Sequence, residues 1–305
     1  MINKKYFSIV IGIFLVAVIV GSFFDYQIST ALFHRNNGFG IFLAAIGEFP
    51  GYAMLSFLGG YTAAASIKFY KKSWVSLLML GGALVAFGCS AFFQGKAIFS
   101  VNAYNKPEYT LTFGLLIGVA MMAGPLILGY YFGHKINNKA LIKVSFVLLL
   151  SIAVAIGVIT VVKLIPHRPR FRTVILDTND VTYSPWWIIN KDYKTFLSDT
   201  ITKEEFKSFP SGHIGITTAM FFSVYFPLLV ESNKSKLFKN IFFAISCVYI
   251  FLLAYTRILV GAHFLSDVGA GGVISLAIHL VTIFLIDMNL KKAQEKQGIE
   301  FTGIE

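Results

Sequence analysis

The chain has 305 residues, of which 26 are basic and 15 acidic, giving a formal net charge of +11. Apolar residues make up 56% and charged residues 13%, and the mean hydropathy is +0.71. An ordinary soluble domain is roughly 25% charged, so a water-facing globule, a disordered chain and a disulfide scaffold are excluded, and a multi-pass membrane protein remains.

A helix crosses the hydrocarbon with about 20 apolar residues. Eight stretches qualify in chain order: 7–24, 52–69, 74–93, 111–132, 144–162, 214–230, 241–255 and 264–286. The first follows Lys4 and Lys5 but runs into Phe23, Phe24 and Asp25 without a small-residue cleavage site, so it reads as an uncleaved span rather than a signal peptide. The seventh is the shortest. Eight crossings put alternate loops on opposite sides. One side holds Lys4 and Lys5, then Lys68, Lys71 and Lys72, then Lys135, Lys139 and Lys143, then Lys234, Lys236 and Lys239, then Lys291, Lys292 and Lys296. That even basic flanking predicts both termini in the cytoplasm. The cations sit at the ends of apolar runs, with no dense basic block interleaved with aromatics, so no nucleic-acid partner is expected. The opposite side is sparse in cations except in a long loop, 164–212, and at Arg257. Cys89 and Cys247 lie inside apolar runs and behave as small hydrophobes. Little in residues 1–140 suggests chemistry; the lone glycines and Pro125 there read as packing or kink residues.

Four of the five arginines and three of the six histidines fall between 167 and 263, in loops on the outer side of this layout. Asp267 is the one carboxylate that reads as clearly inside a span, and an ionisable group there is costly enough to suggest function. It stands four residues after His263, on the same helix face. There it can accept from one imidazole nitrogen and leave the other free to attack an electrophile, or simply anchor the helix end. Pro210-Ser211-Gly212-His213 opens the sixth span. This is either an anion-binding helix start with His213 as a proton donor, or a plain turn and cap. Lys163, Arg168, Arg170 and Arg172 crowd the outer end of the fifth span, against the charge bias of that side. Guanidinium forks suit phosphate oxygens, although juxtamembrane cations also contact headgroups. Arg257 is phosphate-binding or a snorkelling helix end. Together these residues make a phosphoryl-transfer toolkit in which cations neutralise the transferring group. Neither the histidine spacing nor a carboxylate cluster suggests a metal site.

The three segments resemble the type 2 phosphatidic acid phosphatase (PAP2) superfamily of integral-membrane lipid phosphatases. Its signatures are Lys-x6-Arg-Pro, Pro-Ser-Gly-His and Ser-Arg-x5-His-x3-Asp. The second is intact at Pro210–His213; the third is met by Arg257, His263 and Asp267, with Thr256 for the serine. The first is met by Lys163 and Arg170, with Phe171 for the proline; Arg168-Pro169 offers an alternative arginine. The apolar stretches make an all-α polytopic bundle of about eight spans, and the resemblance implies that its C-terminal half is the catalytic core. Members of the family usually have six spans, so the extra pair lies in the N-terminal part, which the motifs do not reach. The resemblance divides the chain into an N-terminal segment of unassigned role (1–140), a catalytic domain (141–290) and a cytoplasmic tail (291–305). It also implies that His263 is the nucleophile, forming a phosphohistidine and oriented by Asp267. His213 would protonate the leaving group and then activate water. Lys163, Arg170, Arg257, Ser211 and the Gly212 backbone would hold the phosphate, without metal or other cofactor. The expected substrate is a lipid phosphate or diphosphate, such as undecaprenyl diphosphate, phosphatidylglycerol phosphate, phosphatidic acid or diacylglycerol diphosphate, met at the outer face of the cell membrane. The alternatives are a lipid phosphotransferase using the same histidine and a non-catalytic phospholipid-binding or transport protein. Trp186 and Trp187 in the long loop read as interfacial anchors or as shaping access to the site.

Overall fold

The computed structural model describes residues 4–71, 73–104, 110–175, 181–198, 201–232 and 235–297. Among them there is no strand, and eight helical stretches are long and apolar enough to cross a membrane. The first, α1 (Lys4–Leu32), runs eight residues beyond the expected end and carries Asp25 within the helix. The second apolar stretch is longer than expected and is broken. Its first part is α2 (Gly38–Ile46), capped by the Asn37 side chain, which accepts from Gly40 N at 2.8 Å. Its second part is α3 (Phe49–Tyr70), started by Pro50 in its first turn. Gly47 and Glu48 lie at the break, and the Glu48 side chain makes no cap bond to α3.

α3, α4 (Trp74–Phe99) and α5 (Leu111–Lys135) pack as an antiparallel group. The N-terminal glycines explain how closely they meet. A Cβ on Gly60, Gly129 or Gly133 would strike the carbonyls of Leu126, Phe57 or Tyr61, so small residues let these backbones touch. α5 passes through Pro125 without interruption. α6 (Ala140–Val162) packs on α3 and on the long last helix, α11 (Leu265–Gln297), which α1 covers on another side.

The sixth span lies at the centre and is irregular. It comprises a short α8 (Gly212–Thr217), a 3-10 stretch (Thr218–Tyr225) and a short α9 (Phe226–Leu229). Surrounded by protein, a tightened backbone there stays away from lipid. The seventh, shortest in the sequence reading, is a full 25-residue helix, α10 (Ser235–Leu259). The long loop forms one short helix, α7 (Phe171–Val174), two 3-10 turns, and a small core of Val181, Ile201 and Phe206. Trp186 stacks on Phe209 at 5.0 Å and donates to Ser22 Oγ of α1 at 3.0 Å, tying the loop down, whereas Trp187 is exposed. The expected tail is helical through Gln297, and 298–305 lie outside the described residues. Lys72 and Lys234, counted in the orientation pattern, also lie outside them.

Candidate active site

The helix ends meet around a cavity of about 650 Å³. Lys163, Arg170, Gly212, His213, Arg257 and His263 all line it, so three motifs separated by a hundred residues close on one volume. Local geometry explains each placement. Gly261 has φ +65°, a left-handed turn that a β-carbon would strain and that would drive such a carbon into Arg172 N and Phe33. That turn ends α10 and lets the Arg257 carbonyl accept from Ala262 N and His263 N, which brings His263 beside the arginine. Gly212 answers a different need. A Cβ there would point at Lys163 Nζ, 3.6 Å away, into the volume among the cations.

His263 is 1% exposed, and its Nδ1 lies 2.7 Å from the Ser208 carbonyl oxygen. A carbonyl can only accept, so Nδ1 carries the proton and Nε2, buried and without a partner, keeps its lone pair. Burial holds this imidazole neutral, its pKa pushed down to about 3. The expected direct bond to Asp267 is not formed, since Oδ2 is 3.8 Å from Nδ1. Asp267 acts one step removed. Its Oδ2 accepts from Ser208 Oγ at 2.5 Å and from Phe264 N at 2.8 Å, fixing both the residue that holds the imidazole and the turn that carries it.

His213 presents the second unpartnered Nε2, and the two rings are 6.1 Å apart between centroids. The cations are held from behind. Lys163 Nζ donates to the Pro210 carbonyl at 2.8 Å. Arg170 donates to the Ala262 and Glu204 carbonyls at 2.7 and 3.1 Å, and Arg257 to the Gly40 carbonyl at 2.5 Å. Burial, reinforced by Arg170, pulls the Lys163 pKa down to about 7 against the attraction of Asp267, Glu48 and Glu204. Arg172 makes a two-bond pair with Glu205 at 2.9 and 2.6 Å on the cavity rim. Ser211 is fully buried and caps α8 through Ile214 N at 3.5 Å; it does not line the cavity. His167 stacks on Tyr193 at 4.0 Å and also stays out of it.

Arg168 is placed quite differently from Arg170. It is fully buried, donating to Asp267 Oδ1 at 2.5 Å, to Asp25 Oδ2 at 2.8 Å and to Ser266 Oγ at 2.8 Å, with its guanidinium 4.1 Å from the Phe264 ring centroid. Asp25 in turn accepts from Ser266 N at 2.9 Å, at the start of α11. Thus Arg168 braces the back of the Asp267 carboxylate, and the cavity takes Arg170.

The sequence reading missed three participants and overstated the inertness of 1–140. Asp25 and Glu48 both lie within apolar helical stretches, so Asp267 is not the only intramembrane carboxylate. Ser208, two residues before Pro210, carried no motif signal. Asp25 had one: it interrupts an apolar run that continues helically through Leu32.

The model of the PAP2 superfamily matches residues 144–291, which include Lys163, both cavity histidines, Asp267 and the two motif arginines that line the cavity, Arg170 and Arg257. No curated protein and no solved structure gives a significant match. The C-terminal half of this multi-pass membrane chain belongs to the PAP2 superfamily, a membership that supports phosphatase-type chemistry on lipid phosphates in general.

Proposed function

We propose that the protein removes phosphate from a lipid phosphate or diphosphate through a phosphohistidine on His263, without a metal. The observation that carries this is the pair of buried, unpartnered Nε2 atoms, His213 and His263, on one cavity with Lys163, Arg170 and Arg257. A phosphoryl group between them meets a nucleophile on one side, a proton carrier on the other and positive charge around its oxygens. The cavity walls continue to Phe93, Ala97, Phe99 and Ile156, an apolar side that suits an acyl or prenyl tail.

In the first step the His263 Nε2 lone pair bonds to phosphorus, the P–O bond to the lipid breaks, and protonated His213 gives its proton to the leaving oxygen. In the second, water attacks phosphorus, His213 takes a water proton, and the N–P bond breaks with its electrons returning to His263. The test is phosphate release by the purified protein from a panel of lipid phosphates and diphosphates, with excess chelator present. Release should survive chelation. Its kcat/KM should fall as pH rises through about 7, because Lys163 is cationic below that value and loses its charge above it. Release that needs added metal would sink the metal-free reading, and release only onto an added acceptor lipid would make the protein a phosphotransferase.

The lysine pattern further supports an orientation with the termini cytoplasmic and the cavity opening on the outer face of the cell membrane. A single cysteine at the exposed Trp187 should then react with a membrane-impermeant maleimide in intact cells. Labelling only after the cells are opened would invert the topology.

A further inference from the structure

Glu48 lines the same cavity and has no part in the chemistry above. It stands at the break between α2 and α3, and its carboxylate is not spent on capping α3. Its Oε1 lies 3.3 Å from His213 Nδ1, the two side chains being 12% and 19% exposed, while the other nitrogen, His213 Nε2, is the buried unpartnered one. The charges facing this carboxylate are those of Lys163, Arg257, Arg170 and Lys96, with Tyr52 beside it on α3 and His263 next to His213. Among the described residues, the side chain that this carboxylate pairs with is the His213 imidazole.

Resting on the phosphohydrolase reading, we propose that Glu48 is the positioning residue of His213. The carboxylate accepts Nδ1–H and keeps Nε2 on the cavity. It also stabilises the imidazolium whenever His213 holds the extra proton, before the lipid oxygen leaves and after water has attacked. Each histidine then has its own support: His263 the Ser208 carbonyl and Asp267, His213 the Glu48 carboxylate. Glu48 lies outside residues 144–291, so the break between α2 and α3 completes the site and gives the N-terminal half a share in the reaction.

The experiment uses the full chain in detergent and two substrates, a lipid phosphate and p-nitrophenyl phosphate, whose leaving group departs without a proton. With the lipid phosphate, Glu48→Gln should lower kcat about 100-fold at little change in KM, the lower end of what a positioned proton-transfer group contributes. With p-nitrophenyl phosphate, phosphorylation of His263 should stay near the wild-type rate while its hydrolysis slows, so labelled phosphohistidine accumulates. His213→Ala with Glu48→Gln should be no slower than His213→Ala alone, because residues that act as one unit do not add. Losses that multiply in the double variant would overturn the proposal. So would equal losses with both substrates and a raised KM, which would make Glu48 a counter-ion to the phosphate-binding cations. If Glu48→Gln does not fold, Glu48→Asp carries the same leaving-group comparison with the charge retained. Wild-type turnover by His263→Ala would instead remove the phosphohistidine reading, an outcome separate from any result at Glu48.

Discussion

Replacing His263 by alanine is expected to lower phosphate release by at least about four orders of magnitude, since deleting the nucleophile of a unit that acts together abolishes nearly all of its effect. The folded protein should survive. The imidazole makes one hydrogen bond, to the Ser208 carbonyl, and a single such bond is worth about 1 kcal/mol net. Ser208 itself remains held by Asp267 through its hydroxyl. Turnover and thermal unfolding in detergent, measured on the same preparation, separate the two effects. The variant should also take up no label from a labelled substrate after an alkaline quench, in which phosphohistidine persists. Turnover within tenfold of wild type would move the nucleophile elsewhere, with His213 the next candidate because its Nε2 faces the same cavity. His279 also has an unpartnered Nε2 but sits between α6 and α11, bonded to Ser151 at 2.9 Å, and does not line the cavity.

Much of this site was legible in the sequence because its parts are local. Asp267 follows His263 by one helical turn, and Pro210–His213 opens a helix, so spacing alone places each group at a helix end. The eight spans were legible for a similar reason: apolar length is a property of the segment. What the sequence did not carry are contacts made across it. Asp25 and Glu48 sit near the ends of apolar runs, where a carboxylate reads as interfacial, and only the packing of α1 on α11, and of the α2–α3 break against α8, brings them to Ser266 and His213. The choice between Arg168 and Arg170 is of the same kind. The chain there passes through Pro166, a left-handed His167 at φ +48° and Pro169, and that path, not the spacing from Lys163, sends one arginine inward and the other to the cavity. The direct His263–Asp267 bond was the reasonable expectation from i,i+4 spacing. It yields to Ser208, whose carbonyl lies nearer the imidazole and whose hydroxyl occupies the carboxylate.

Arg168 therefore carries the second large expectation, one that falls on the fold before it falls on the chemistry. It is the only cation bonded to Asp25 and Asp267 among the described residues, and all three side chains are shut away from solvent. Arg168→Ala leaves two carboxylates without compensation in an apolar surround, and breaking a buried pair in this way costs about 3–5 kcal/mol. Unfolding in detergent should shift down accordingly, and turnover should fall with it because Oδ1 of Asp267 loses its anchor. Arg168→Lys should recover only part of the loss, since one ammonium cannot reach both carboxylates and the Ser184 carbonyl as the guanidinium fork does. The decisive comparison is the double variant. Adding Asp25→Asn to Arg168→Ala removes one of the stranded charges, so the pair should be more stable than Arg168→Ala alone, although Asp25→Asn by itself destabilises the wild type. Additive losses would mean that Arg168 and Asp25 serve separate purposes. An Arg168→Ala protein that unfolds and turns over like the wild type would show that Asp267 is held from the Ser208 side alone, and that the N-terminal helix covers the catalytic half without bracing it.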